Sequence, residues 1–487
     1  MRGALALMAA TAIAGCSLAP KYVRPELPVP PSWPVGDAYL RQSEAALPAI
    51  TYRDVFRDAR LQRLVDQALA GNRDLRIAAA NIASARAQYR IQRADLFPQV
   101  DAGGGYTYAD RGSSGTTGST TGSSSARSSF SADVGVTAFE IDLFGRVRSS
   151  TRAALDRYFA TEAGARSVRL TLVGDIAEAW FTYAADRSLL RIAEDTAASA
   201  ERSVRLTRIR LEGGIAPRTD LRQAEQVLAT AQANIAEQRT ALAQDVNALQ
   251  LLVGAPVAAE LLPDTIESVT ESAATLPAGL DSGILLRRPD VVEAEYNLRA
   301  ANADIGAARA ELFPRISLTG VVGLASTALS SLFSGGAFNY SAGPGVSFPI
   351  FRAGAARAGV AFSQAQRDAA LATYERTIQT AFRETADALA RQGTLAAQLA
   401  ANTRFREAAL DTFRLTEQRY RGGIDPFLSS LDAQRQLYTA ERTLVATRLV
   451  AAQNRVELYR ALGGDATLEA TADGPRPVSP AGAPRAE

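Results

Sequence analysis

The 487-residue chain has no histidine, one cysteine, two methionines and two tryptophans. Without imidazole there is no Ser-His-Asp or Cys-His nucleophile and no basis for most zinc or iron sites. The lone Cys16 excludes an intrachain disulfide and any cysteine cluster. So little methionine beside no histidine also argues against a dedicated metal-binding role. Charge of one sign is lacking too. Lys+Arg at 53 against Asp+Glu at 51 leave a net +2, which argues against a nucleic-acid binder held by phosphate contacts. Gly103-Gly104-Gly105 is not followed by the Lys-Ser/Thr of a phosphate loop. The expectation is a protein that is not an enzyme and carries no cofactor beyond a covalent lipid. What is present is 47% hydrophobic and 21% charged residues, enough apolar material for a sizeable core.

The amino terminus reads as an address. Arg2 precedes an apolar stretch, residues 3–14, that is too short to span a bilayer and has the form of a secretory signal. A signal peptide is expected over residues 1–15. It ends Ile13-Ala14-Gly15-Cys16, small residues before a cysteine as in bacterial lipoproteins. Cys16 is therefore the expected lipidation site, with an ordinary buried thiol as the alternative. Ser17, where an aspartate would retain such a lipoprotein at the inner membrane, favours the outer one. Multiple acyl chains anchor firmly. Pro20, Pro25, Pro28, Pro30, Pro31 and Pro34 then exclude a helix and predict an extended tether.

Past the tether the chain is one unit written twice. Ala94-Asp95-Leu96-Phe97-Pro98 recurs 216 residues later as Ala310-Glu311-Leu312-Phe313-Pro314. Leu143-Phe144 recurs after 207 as Ile350-Phe351, and Gly213-Gly214-Ile215-Ala216-Pro217 after 209 as Gly422-Gly423-Ile424-Asp425-Pro426. The shortfall falls in residues 112–129, a Gly/Ser/Thr-rich loop of the first copy expected to face the cell exterior. Each copy reads as helix, two strands, long helix, turn, helix. The helices are expected near 72–97, 145–212 and 217–254, then near 288–313, 352–421 and 425–462, all rich in strong helix formers. At ~1.5 Å per residue the long ones reach roughly 100 Å and must line something long. The short and returning helices together match the long helix, so they are expected to stack end to end beside it. The organisation expected is residues 16–71 as tether and equatorial segment, 72–254 as repeat 1 and 255–287 as equatorial linker. Residues 288–462 form repeat 2, and 463–487 an equatorial or disordered tail.

The strands carry the membrane signal. Residues 316–351 hold no charge, but their glycines and prolines make poor helix. Alternation fits better. Ile316, Leu318, Gly320, Val322 and Leu324 share one face, as do Phe338, Tyr340, Ala342, Pro344, Val346, Phe348 and Ile350. The first copy repeats this with Val100, Ala102, Gly104, Tyr106 and Tyr108 and with Phe130, Ala132, Val134 and Val136. The β-hairpins are expected at about 99–144 and 315–351. Apolar-out, polar-in strands of this length suit a transmembrane barrel. Four strands cannot close a barrel, and lipid does not tolerate open edges, so copies must pool their strands. A trimer would supply twelve.

These features together resemble the outer membrane factor family, the TolC-like and especially OprM/NodT-type lipoproteins. The likeness rests on Cys16 with Pro20, Tyr22, Arg24 and Pro25, on Asn72-Arg73-Asp74-Leu75, and on Leu286-Arg287-Arg288-Pro289-Asp290-Val291. It rests also on Ala294-Glu295, Ile305-Gly306, Phe313-Pro314, Tyr420-Arg421-Gly422-Gly423 and Leu431-Asp432-Ala433-Gln434. The resemblance implies an α+β membrane protein. Its fold would be a trimeric twelve-stranded β-barrel continuing into a periplasmic α-helical barrel with an equatorial domain. It implies an outer-membrane exit duct of a tripartite efflux system, with a periplasmic adaptor and an inner-membrane pump as partners. The cargo stays open, and a non-conducting lipoprotein scaffold is the rival reading. Carried over by motif, a periplasmic gate falls on Leu428, Asp432 and Arg435, while Ser429 stands where TolC-branch relatives carry a second aspartate. Adaptor docking falls on Gly213, Gly214, Gly422 and Gly423. Asp432 could equally be a helix N-terminal charge, Arg435 its i,i+3 partner, and the glycines plain caps.

Overall fold

Two helices of 67 residues, each returned by one about half as long, carry the duplication into three dimensions. The computed structural model describes residues 17–34, 51–111, 125–270 and 282–478. Cys16, the signal and residues 112–124 of the expected loop lie outside these. In chain order the helices are α1 (Tyr52–Val55), α2 (Ala59–Gly71), α3 (Arg73–Ala94), α4 (Arg146–Glu212), α5 (Arg218–Val253), α6 (Ile266–Thr270), α7 (Pro289–Ala310), α8 (Ala355–Arg421) and α9 (Phe427–Ala461). The strands are β1 (Val100–Arg111), β2 (Ser125–Glu140), β3 (Arg315–Ser326), β4 (Phe338–Ser347), β5 (Leu468–Thr471) and β6 (Gly474–Pro477). Among the described residues no helix is long and apolar enough to cross a membrane. The chain divides into two compact units. One takes the residues up to Arg24 with Ala83–Phe159 and Tyr296–Ala372, and the other takes the rest.

The first unit holds an antiparallel sheet in the order β1-β2-β3-β4. Its register joins the apolar faces of all four strands. Ala102 pairs with Val134, Val134 with Val322, and Val322 with Tyr340. Gly104, Ala132, Leu324 and Phe338 make the next row. Side chains two apart share a face, so one apolar surface runs unbroken across the sheet. The other face carries Asp101, Asp133 and Asn339, with Asp133 opposite Gly103 and Gly323. Two expectations need correction. β4 ends at Ser347, so Phe348 and Ile350 leave the ladder, because Ser347 pairs with Arg315, the first residue of β3, and no strand residue lies opposite beyond it. Residues 125–129, expected in the loop, extend β2 and pair with residues 107–111.

The extended amino-terminal segment is not a free tether: residues 18–22 dock on α7. The Asn302 amide donates to the Pro20 carbonyl at 2.7 Å, and Arg309 donates to the Leu18 carbonyl at 3.2 Å. The Arg299 guanidinium lies 5.0 Å from the Tyr22 ring centroid. A Cβ on Gly306 would sit 2.7 Å from both the Ala19 Cβ and the Ser149 Oγ, so only glycine leaves a seat for the strap.

The second unit is helical. Its core includes Trp180, fully buried, whose indole N–H donates to the Leu261 carbonyl at 3.0 Å. Phe56 packs edge-on against Phe181 and Tyr459, and Trp33 stacks on Phe382 at 4.8 Å. The start of α3 meets the end of α5, where stacked helices were expected to join. The Asn72 amide donates to the Leu252 carbonyl at 2.8 Å, and its oxygen accepts from the Leu75 N–H at 3.0 Å. Gly254, with φ of +75°, caps α5 there, and a Cβ on it would fall 2.5 Å from the Gly71 carbonyl oxygen. Beyond α9 the expected tail folds back as the two-stranded β5-β6 sheet.

Candidate functional site: the hairpin tips

Both tips are built by the same backbone device. In the first, the Gly213 N–H donates to the Ile209 carbonyl at 3.0 Å and the Ile215 N–H to that of Arg210 at 2.9 Å. In the second, Gly422 donates to Gln418 and Ile424 to Arg419, both at 2.9 Å. Gly214 and Gly423 take φ of +70° and +74°, the left-handed conformation that closes a helix of L-residues and satisfies its last carbonyls. Ile215 and Ile424 are left at 77% and 67% exposed, an apolar residue at each apex.

The side chains around the two turns differ. Asp425 accepts from Arg419 Nε at 2.6 Å and Nη2 at 2.9 Å, a bidentate pair that holds its carboxyl below the usual range. Ala216 offers no such acceptor in the first tip. Its Arg210 lies instead 4.5 Å from the Tyr420 ring centroid and donates to the Arg421 carbonyl at 3.0 Å. Beneath these contacts Val204, Leu221, Ala224, Tyr420, Phe427 and Leu431 form one buried cluster between the two hairpins. Thr207 Oγ1 and the Tyr420 hydroxyl lie 3.2 Å apart within it.

That cluster sets the direction of the expected gate residues. Leu431 is turned inward at 1% exposed, while Leu428, at 52% exposed, is turned out. Asp432 and Arg435 are both more than half exposed and meet at 3.9 Å, a loose ion pair. Asp432 lies in the second turn of α9, and the first turn holds no acid, so it falls outside the region where the helix dipole acts most strongly. The four expected glycines form the turns themselves. Sequence reasoning did not single out Arg210, and it met Asp425 only as a member of the repeated tip motif. Tyr420 was visible as part of a motif, but its contact with Arg210 joins residues from different repeats and has no local signal.

Strands long enough to cross a bilayer, joined in a sheet with one apolar face, and helical hairpins of this length together define the class of outer-membrane channel proteins. The chain belongs to the outer membrane efflux protein family, whose model matches residues 64–255 and again 281–464, one match per repeat. The toluene efflux pump outer membrane protein TtgC of Pseudomonas putida is 44% identical over 468 residues, 95% of this chain and 96% of that one. The antibiotic efflux pump outer membrane protein ArpC of the same species matches at the same identity and coverage. Among solved structures, the open state of the MtrE outer membrane channel of Neisseria gonorrhoeae superposes with a TM-score of 0.81. It is 33% identical and the match covers 92% of this chain and 98% of that one. The protein is thus an outer-membrane exit duct of an efflux system, with the barrel and helical-tunnel fold of that class.

Proposed function

We propose that the duct is a homotrimer, anchored by lipid on Cys16 and gated at its periplasmic tips. The observation that carries this reading is the sheet: a continuous apolar face whose β1 and β4 edges are unpaired among the described residues of one chain. Open edges are not stable in lipid, so strands from other copies must complete the barrel, and three copies supply twelve. The tips dock a periplasmic adaptor through Gly213, Gly214, Gly422 and Gly423, and an inner-membrane pump drives export. No group other than the lipid is required, since conduction is passive. Asp432 lines the constriction and draws cations, Arg435 offsets the repulsion between copies, and Leu428 narrows the opening. Relatives named for toluene and for antibiotics support small apolar organic molecules as the cargo.

Single-channel recording of the full chain in planar bilayers tests this reading. Discrete conductance is expected, with Asp432→Ala reducing cation preference and Arg435→Ala raising the open fraction. A membrane-inserted protein that never conducts would establish the scaffold reading instead. Conduction with both variants unchanged would remove the gate from these residues.

A further inference from the structure

A cavity of about 570 Å³ lies between the hairpins of the two repeats. It is lined by Thr196 of α4, by α5 residues between Gln226 and Asn234, and by α9 residues between Gln434 and Thr439. Clefts of that size hold small organic molecules. Val227, Ala229, Ala231 and Tyr438 give it apolar surface. Its polar groups are unevenly satisfied. Thr196, Thr230 and Thr439 each donate to a carbonyl one turn back on their own helix, at 2.7, 2.9 and 2.9 Å. The Asn234 amide donates to the Tyr438 hydroxyl at 2.7 Å, so the phenol keeps its own proton to give. Gln434 has no such outlet. It is 7% exposed, and its amide nitrogen is buried without a hydrogen-bond partner among the described residues. Buried donors are seldom left so, and this one calls for an acceptor.

Charge narrows the choice of acceptor. No acid lines the cavity, and its one formal charge is Arg435. That guanidinium meets Asp432 only loosely, at 3.9 Å, and both side chains are more than half exposed. We propose that the cavity binds an organic anion with an apolar body, of which an aryl carboxylate is the simplest form. The carboxylate accepts from the Gln434 amide and the Tyr438 hydroxyl, and Arg435 is its counter-charge, in competition with Asp432. The ring system covers Val227, Ala229 and Ala231. A cationic amine finds no acid there to pair with. A bare hydrocarbon such as the cargo proposed above leaves Gln434 unpaired, so this ligand is not that cargo. Because its contacts come from both repeats, the bound anion ties α5 to α9. None of this depends on whether the chain conducts.

Naphthoate titrated calorimetrically into the detergent-solubilised full chain, with protein-free micelles as the blank, tests the site. Saturable binding of a single molecule per chain is expected. Ala229→Trp, a change at an exposed position that fills the cavity, should abolish it. Gln434→Leu keeps the shape of the side chain but removes its donor, and should weaken binding about tenfold. Naphthylmethylamine, which has a similar body and the opposite charge, should bind at least about tenfold more weakly than naphthoate. Absence of saturable binding to the unaltered chain would overturn the proposal. So would binding that survives Ala229→Trp, or an affinity that Gln434→Leu leaves unchanged. Equal binding of the amine would overturn the assignment of an anion.

A second measurement reads the bridge between repeats. Saturating naphthoate should slow amide exchange over residues 226–234 and 434–439 together, and should leave Ala229→Trp unaffected. Protection confined to one of the two helices would show that the anion does not join them.

Discussion

Repeat 1 and repeat 2 share a backbone and use equivalent positions for different chemistry. Asn72 and Arg288 both start a short helix and both reach the end of a returning one, through the carbonyls of Leu252 and Ala461. Asn72 makes this joint with a neutral amide. Arg288 makes it with a buried cation held by Asp290 at 2.8 Å and Glu384 at 2.9 Å. Along the hairpins, Asp245 of repeat 1 faces Asp186, and burial with that neighbouring acid pushes its carboxyl up to about 7. Leu395 and Asn454 hold the matching places in repeat 2, where the Asn454 amide donates to the Ala388 carbonyl at 3.1 Å. On the short helices, Gly306 seats the amino-terminal strap while Arg90 stands at the same position of repeat 1. Duplication conserved the path of the chain. Divergence then changed electrostatics and access wherever only one repeat meets a given neighbour.

Removing the cation of the charged joint should cost most. Arg288→Ala takes the charged donor from the Ala461 carbonyl and the counter-charge from Asp290 and Glu384, and because both acids reach solvent the expected loss is about 2–3 kcal/mol. Asn72→Ala removes a cap and one hydrogen bond, with an expected loss of about 1–2 kcal/mol. Denaturant unfolding of the detergent-solubilised protein measures both, and equal losses would mean the two joints are energetically alike. Next in size is Gly306→Arg, which imports the repeat 1 residue into the strap's seat. Overpacking of this kind costs about 1–3 kcal/mol, and undocking should expose residues 18–22 to limited proteolysis. An unchanged cleavage rate would show that the strap is held elsewhere.

The smallest effect expected is a pH dependence confined to repeat 1. A carboxyl whose pKa is raised in the folded chain stabilises it below the unfolded value near 3.8, and that contribution is lost as pH rises through about 7. Because both acids are partly exposed, solvent screening limits the effect to about 1–2 kcal/mol. Amide exchange of residues 239–251 should therefore quicken from pH 6 to pH 8 beyond its intrinsic rate, while residues 448–460 should not. Asp245→Asn, the residue repeat 2 carries, should abolish the difference. A response shared by both hairpins would dissolve the contrast.

The main helices and the sheet strands were legible within a few residues because their signals are local. Apolar residues recur at helical spacing around Leu172, Ile176 and Trp180, and at every second residue in β1 to β4. Gly-Gly followed by Pro marks the tips because few other residues close one helix and open the next there. The same local logic set β4 too long, since alternation continues past Ser347 while the ladder stops there, where the partner strand begins. It missed the β5-β6 hairpin as well, because a four-residue strand carries almost no periodic signal.

By itself the amino-acid sequence determined the duplication, the faces of the strands and the positions of the turns. Each follows from the stereochemistry of neighbouring residues, which acts before the chain is folded. Only the tertiary structure decided which side chains meet across the repeats. Arg210 finds Tyr420, Ala19 finds Gly306 and Phe144 finds Phe313. More than a hundred residues separate each pair along the chain, and no local preference selects one distant partner over another. The docking of hairpins and strands brings them together, and packing then leaves room for one arrangement.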